Sequence, residues 1–191
     1  MEDNKEQELK NIEQVNPNDI WFSLPTVSGE FPPTVAMDKE TEFDIHIHED
    51  DYRQNEFLNS ASLPQIEEEL IGIKDIWENY SKKTEKYTLF KNCYARRITG
   101  EPNLKINFNA LKSLLKCNSV GQVIINRATL ANGFAVKTAD TTYYGTLNAN
   151  NVTQLCINQW DENTVNEIVE INKAFNLVFV SWCSCNIIKN D

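Results

Sequence analysis

Apolar residues recur along this 191-residue chain with two different periods, and the switches between them mark its elements. Phe43, Ile45 and Ile47 alternate with Asp44, His46 and His48, which predicts a half-buried strand over 43–48. Ile66, Leu70, Ile73, Trp77 and Tyr80 then recur every third or fourth residue. That spacing draws one apolar stripe and predicts a helix over 63–82 with Trp77 facing the core. Ser62 with Gln65 makes a capping-box pattern at its start. Glu67, Glu68 and Glu69 stand near the positive end of the helix dipole, and Lys82 and Lys83 at the negative end. Thr164 with Glu167 repeats the capping-box pattern and opens a predicted helix over 164–175, with Val165, Ile168, Val169 and Phe175 inward. Phe108, Leu111, Leu114 and Leu115 predict a short helix over 108–116.

The remaining patterned segments are extended. Residues 87–95 read as a strand. From 122 to 157, β-branched runs are separated by turn signals at Asn132-Gly133, Ala139-Asp140 and Asn148–Asn151, which predicts an antiparallel meander with a hairpin at Asn132-Gly133. Residues 177–187 read as a closing strand whose unbroken apolar start, Leu177 to Val180, suits the centre of a sheet. Pro25, Gly29, Pro32 and Pro33 make 25–36 a loop with a short extended piece, and Gly100–Asn103 a turn follows from Gly and Pro content. Tyr52, Phe57 and Leu58 suggest a short helix within 50–59. Strands grouped together, with few helices between them, indicate an α+β fold: an antiparallel sheet packed by three helices. Residues 1–18 are expected to form a flexible tail and 19–191 a single domain.

Charge changes the picture more than composition does. Residues 1–81 carry 20 Asp and Glu against 5 Lys and Arg, a net of −15. Residues 82–116 carry 9 basic against 2 acidic residues, a net of +7, and the remainder is −2, giving −10 overall. A pI near 4.7 disfavours nucleic acid and anionic membrane and favours basic partners. The start lacks the basic residues and apolar stretch of a secretory signal, and no apolar run approaches the roughly 18 residues of a membrane span. Five cysteines, an odd number, then read as reduced thiols in a cytoplasmic protein. Richness in Asn, Lys and Ile suggests a bacterial source with an AT-rich genome.

Few residues suggest chemistry. Asp44, His46 and His48 would share one strand face, with donor types that suit a divalent metal. His-x-His on a strand is similar to metal-binding strands of amidohydrolases and cupins. There is no third histidine, however, and Tyr52 and Arg53 occupy the positions where cupins place a glutamate, so no family is identified. Cys183-x-Cys185 would put two thiols on one strand face, within reach of a Cys2His2 site if the strands were neighbours. No Gly-x-Ser-x-Gly elbow, dinucleotide fingerprint or phosphate loop is present, and no cofactor is implied. Basic residues interleaved with Tyr87, Phe90, Tyr94 and Phe108 could contact single-stranded nucleic acid, against the overall acidity.

The densest non-helical acidic stretch is Glu40, Glu42, Asp44, Glu49, Asp50, Asp51 and Glu56. As a docking face it would comprise Glu42, Glu49, Asp50, Asp51 and Glu56, with Tyr52 and Phe57 as aromatic anchors. The expectation is a non-enzymatic acidic protein that occupies a basic protein partner, as a bacterial immunity protein occupies its toxin. The alternatives are a small metal-dependent enzyme using Asp44, His46 and His48, or a regulatory protein that self-associates through a sheet edge.

Overall fold

The computed structural model describes residues 16, 19–36, 41–97 and 104–190. Nearly all of the expected tail, the Gly100–Asn103 turn and Glu40 lie outside the described residues.

In chain order, β1 (Thr26–Ser28), β2 (Thr34–Val35) and β3 (Asp44–Ile47) precede a 3-10 turn at Glu49–Asp51 and β4 (Asn55–Asn59). Helix α1 (Leu63–Asn79) follows, then the short strands β5 (Ser81–Lys83), β6 (Thr88–Phe90), β7 (Tyr94–Arg96) and β8 (Ile106–Asn107). After α2 (Phe108–Leu114) come β9 (Gln122–Ile125), β10 (Ala128–Leu130), β11 (Gly133–Lys137), β12 (Thr142–Asn148) and β13 (Asn151–Ile157). Helix α3 (Val165–Phe175) and the hairpin β14 (Leu177–Ser181) and β15 (Asn186–Ile188) close the fold.

The fold is α+β, built on an antiparallel sheet in the order β11-β12-β13-β4-β14-β15, with β8 also paired to β13. Alternation along these strands feeds two faces. On one face, Phe57, Tyr143, Leu155 and Phe179 pack with Leu111 of α2 and Ile168 and Ile171 of α3. On the other, α1 covers one end, setting Ile66, Leu70 and Ile73 against Leu58, Val178, Val180 and Trp182. A second sheet, β2-β10-β9-β3, covers the remaining end through Ile47, Val123, Ile125 and Leu130 against Ala135, Tyr144 and Cys156.

Several elements differ from the sequence reading for identifiable reasons. The 122–157 segment does not form one meander. β9 leaves it to pair with β10 and, in parallel, with β3. The hairpin joining β9 to β10 turns at Asn126-Arg127, both with positive φ (50° and 65°), the two-residue geometry that favours Asn-Gly. Arginine in the second position hid that signal. Asn132-Gly133 instead carries the chain between two sheets, since β10 and β11 are not paired to each other. The 87–95 segment is two separate strands, β6 paired with β5 and β7 paired in parallel with β1. The expected helix within 50–59 is the 3-10 turn followed by β4, a central strand of the large sheet.

Neither capping box forms. Ser62 follows a 3-10 turn and makes no side-chain cap bond. Before α3, Asp161 orders the preceding turn, accepting from the backbone N–H groups of Asn163 and Thr164, while Glu167 accepts from Thr138 and Tyr143. The buried stripe of α1 ends on Ile76 rather than Trp77. Trp77 is 37% exposed and donates its indole N–H to the carbonyl of Cys183 at 3.0 Å. Gly72 lets α1 approach β7, because the Tyr94 ring occupies the space a Cβ would need.

Ile73 is fully buried between α1 and the sheet. Ile73→Ala should therefore cost about 2–5 kcal/mol in urea denaturation, the scale of a buried large-to-small change. Trp77→Ala should cost less than about 2 kcal/mol, having one exposed hydrogen bond and one ring contact to lose.

Candidate functional site

The acidic stretch divides into an exposed part and a buried part. Glu42, Asp44, His46, His48, Glu49, Asp50 and Asp51 are exposed. Tyr52, Glu56 and Phe57 are interior. Phe57 faces the α2–α3 layer, and Tyr52 donates its hydroxyl to Gln154 at 2.8 Å, with burial pushing that phenol up to about 12. These two cannot be the aromatic anchors of a docking face, and Glu56 cannot be one of its carboxylates.

Glu56 lies on the face of β4 where α1 and the small sheet meet, and it is fully buried. The Arg53 Nε donates to one carboxylate oxygen at 2.8 Å, and the Trp182 indole N–H to the other at 2.7 Å. Arg96 lies with its guanidinium 5.1 Å from the Trp182 ring centre and donates to the carbonyl of Arg53, the side chain of Gln54 and the hydroxyl of Thr26. Burial is the largest single influence and lowers the Arg53 guanidinium, but the charge and hydrogen bond of Glu56 together with the neighbouring Cys156 and Tyr52 leave it raised. At Arg96 burial outweighs the raising charge of Glu56 and lowers the guanidinium to about 10, still protonated at neutral pH. Arg96, from a distant part of the chain, thus grips residues 53 and 54, while Arg53 holds Glu56. A buried carboxylate is tolerable only when fully paired in this way.

The same network carries the exposed turn. Gln54 donates its amide to the carbonyls of Asp50 and Thr26, and the Tyr144 hydroxyl accepts from the Arg53 N–H. Arg53 itself adopts a left-handed conformation, φ 59°, which costs energy for a non-glycine residue and persists only when its surroundings impose it. The result is a ridge of three consecutive carboxylates, Glu49, Asp50 and Asp51, displayed at the surface. Asn126 donates to Glu49 at 2.6 Å and His48 lies 3.4 Å from Asp50. Among the described residues, none of the three forms an ion pair with a lysine or arginine.

A hollow lies on each side of this ridge. One, of about 630 Å³, is lined by Asp51, Asp140, Asp161, Trp160, Leu24 and Cys183 among others. The second, of about 410 Å³, is lined by Glu49 and Asp50 together with Phe22, Glu30, Phe31 and Pro32. Among the described residues neither hollow is lined by lysine, arginine or histidine. The exposed aromatics beside the carboxylates are therefore Phe22, bridged to Phe90, and Phe31 of the following loop. In sequence Phe22 belongs to the apolar group that begins the globule, and Phe31 is one apolar side chain in the Pro- and Gly-rich loop 25–36.

No family model, curated protein or solved structure matches this chain.

The expected metal set is not assembled. Asp44 accepts from the Thr41 hydroxyl at 3.0 Å, and His48 leaves the strand to cap the 3-10 turn, its Nδ1 accepting the Asp50 N–H at 3.2 Å. Among the described residues no group of three or more His, Cys, Asp or Glu is placed to hold a metal ion. Cys183 and Cys185 sit in the β14–β15 turn rather than on a strand face, and all five cysteines are free. Cys183 donates to Gln54 at 3.2 Å, and burial pushes its thiol up to about 12, so it is protonated at neutral pH.

Two outcomes follow from this geometry. Glu56→Ala should destabilise the fold by about 3–5 kcal/mol in urea, because it strands buried guanidinium charge; a loss below about 1 kcal/mol would contradict the buried network. Iodoacetamide at pH 8 should label Cys183 at least about tenfold more slowly in the native protein than in urea, read by peptide mass spectrometry.

Proposed function

We propose that this protein is a non-enzymatic binding module that occupies a basic protein partner through the Glu49–Asp51 ridge. The observation that carries the reading is the ridge itself: three adjacent carboxylates, exposed, without a lysine or arginine partner among the described residues, and rigidly backed by the buried Arg53–Glu56–Arg96 network. A ridge held in one conformation loses little entropy on docking, which favours affinity. Its unneutralised charge would speed encounter with a cationic surface and repel anionic ones.

The specific form we propose is a cytoplasmic inhibitor, such as a bacterial immunity protein that neutralises a basic toxin. The acidity of the chain and its lack of a nucleotide or hydrolase motif support that form. Among the described residues no helix is long and apolar enough to cross a membrane.

Immobilised protein should retain one basic protein from host lysate at low salt and release it at high salt. Asp50→Lys with Asp51→Lys should weaken that complex at least about tenfold and flatten its salt dependence. Unchanged affinity in the double variant would exclude the ridge as the docking surface.

A further inference from the structure

The hollow on the Phe31 side of the ridge has a different chemistry from the ridge. Phe31 is the most exposed large apolar side chain among the described residues, at 88%, and Phe22 is 42% exposed. With Val27 and Pro32 they make an apolar floor and wall of about 410 Å³. Glu30, Glu49 and Asp50 stand on its rim, and Cys93 also lines it. An exposed phenylalanine costs solvation in the free protein, and a concentrated apolar patch of this kind marks an interaction surface. A buried aromatic anchor ringed by polar groups is the arrangement that concentrates binding energy in protein interfaces.

We infer that this hollow receives one large apolar side chain from the partner, presented on a segment whose flanking residues are lysine or arginine. The inference rests on the ridge-docking reading and adds to it a specificity element. Charge complementarity selects the occupant. Every ionisable group on the rim that is charged at neutral pH is a carboxylate, so a segment that is apolar alone leaves those charges unpaired, and an acidic one is repelled. A second copy of this chain carries a net charge of −10 and is disfavoured as a whole, but its residues 82–116 are +7, so sedimentation has to tell it from a separate basic partner. The apolar contact supplies affinity that salt does not screen, while the basic flanks supply orientation and rate.

The geometry also separates the two contributions. Phe31 is almost wholly exposed, so it can be replaced at little cost to the fold. Glu49 and Asp50 belong to both ridge and hollow, whereas Asp51 lines only the opposite hollow.

The test is selection of binders to the full chain from a random peptide library displayed on phage, followed by fluorescence anisotropy with the selected consensus peptide. The expected consensus is one Phe, Trp, Leu or Met with at least two lysines or arginines within three residues of it. Phe31→Ser should weaken that peptide about tenfold or more, and replacing the apolar residue in the peptide should do the same. The weakening should persist at high salt, while Asp50→Lys should weaken the peptide only at low salt. A basic consensus without an apolar anchor, sensitive to Asp50 and Asp51 but not to Phe31, would overturn the inference and leave the ridge reading standing. A consensus without basic residues, or no selected binder at all, would overturn it together with the preference for basic partners. A concentration-dependent dimer in sedimentation that Phe31→Ser abolishes would overturn it by showing a second copy in the hollow.

Discussion

The carboxylate of Glu56 is the constraint on which the rest of this molecule depends. It lies where three layers converge, on a central strand between α1 and the small sheet, and it is fully buried. An unpaired charge there would cost several kcal/mol, so the fold must deliver Arg53 and the Trp182 indole to it. Delivering Arg53 forces the backbone into the left-handed region immediately before β4. Arg96, stacked beside Trp182, then fastens the carbonyl of Arg53 and the side chain of Gln54. Residues 53–56 cannot move independently of β7, β14 and the large sheet.

That constraint explains why so exposed a turn is so well supported. Gln54 carries the order outward by binding the carbonyl of Asp50, and the ridge follows directly. Charge is thus used in two opposite ways within eight residues. Glu56 is neutralised and serves the fold, and Glu49, Asp50 and Asp51 remain available to a partner. The hollows either side then bring in residues that sequence separates from the ridge: Phe22 and Phe31 on one flank, Trp160 and Asp140 on the other.

Local patterns were legible and long-range ones were not. The 3.6-residue period placed α1, α2 and α3 to within a few residues, and the alternation of Phe43 to Ile47 placed β3. The period failed at Trp77, where Ile76 turns inward and the indole finds a carbonyl at the surface instead. The spacing of Tyr52, Phe57 and Leu58 suggests a short helix where β4 lies, because Glu56 between them breaks the apolar run of a central strand. Arg53 and the Trp182 indole, 126 residues on, make Glu56 an acceptable core residue, with Arg96 fastening the Arg53 carbonyl, and no local rule contains the distant contacts. Glu49, Asp50 and Asp51 were recognised as a candidate surface from charge density. Tyr52 and Phe57 were mistaken for its anchors because proximity in sequence stood in for proximity in space. The histidines failed as a metal set for a similar reason: the strand ends at Ile47, so His48 does not continue the face of Asp44 and His46.

Hydrogen–deuterium exchange of the complex with the captured basic partner tests most directly whether the rigid ridge is the docking surface. Amides of residues 48–52 should gain protection on binding, together with those of 27–31 beside Phe31. Protection confined to other parts of the molecule, with 48–52 unchanged, would contradict the ridge as the site where this protein meets its partner.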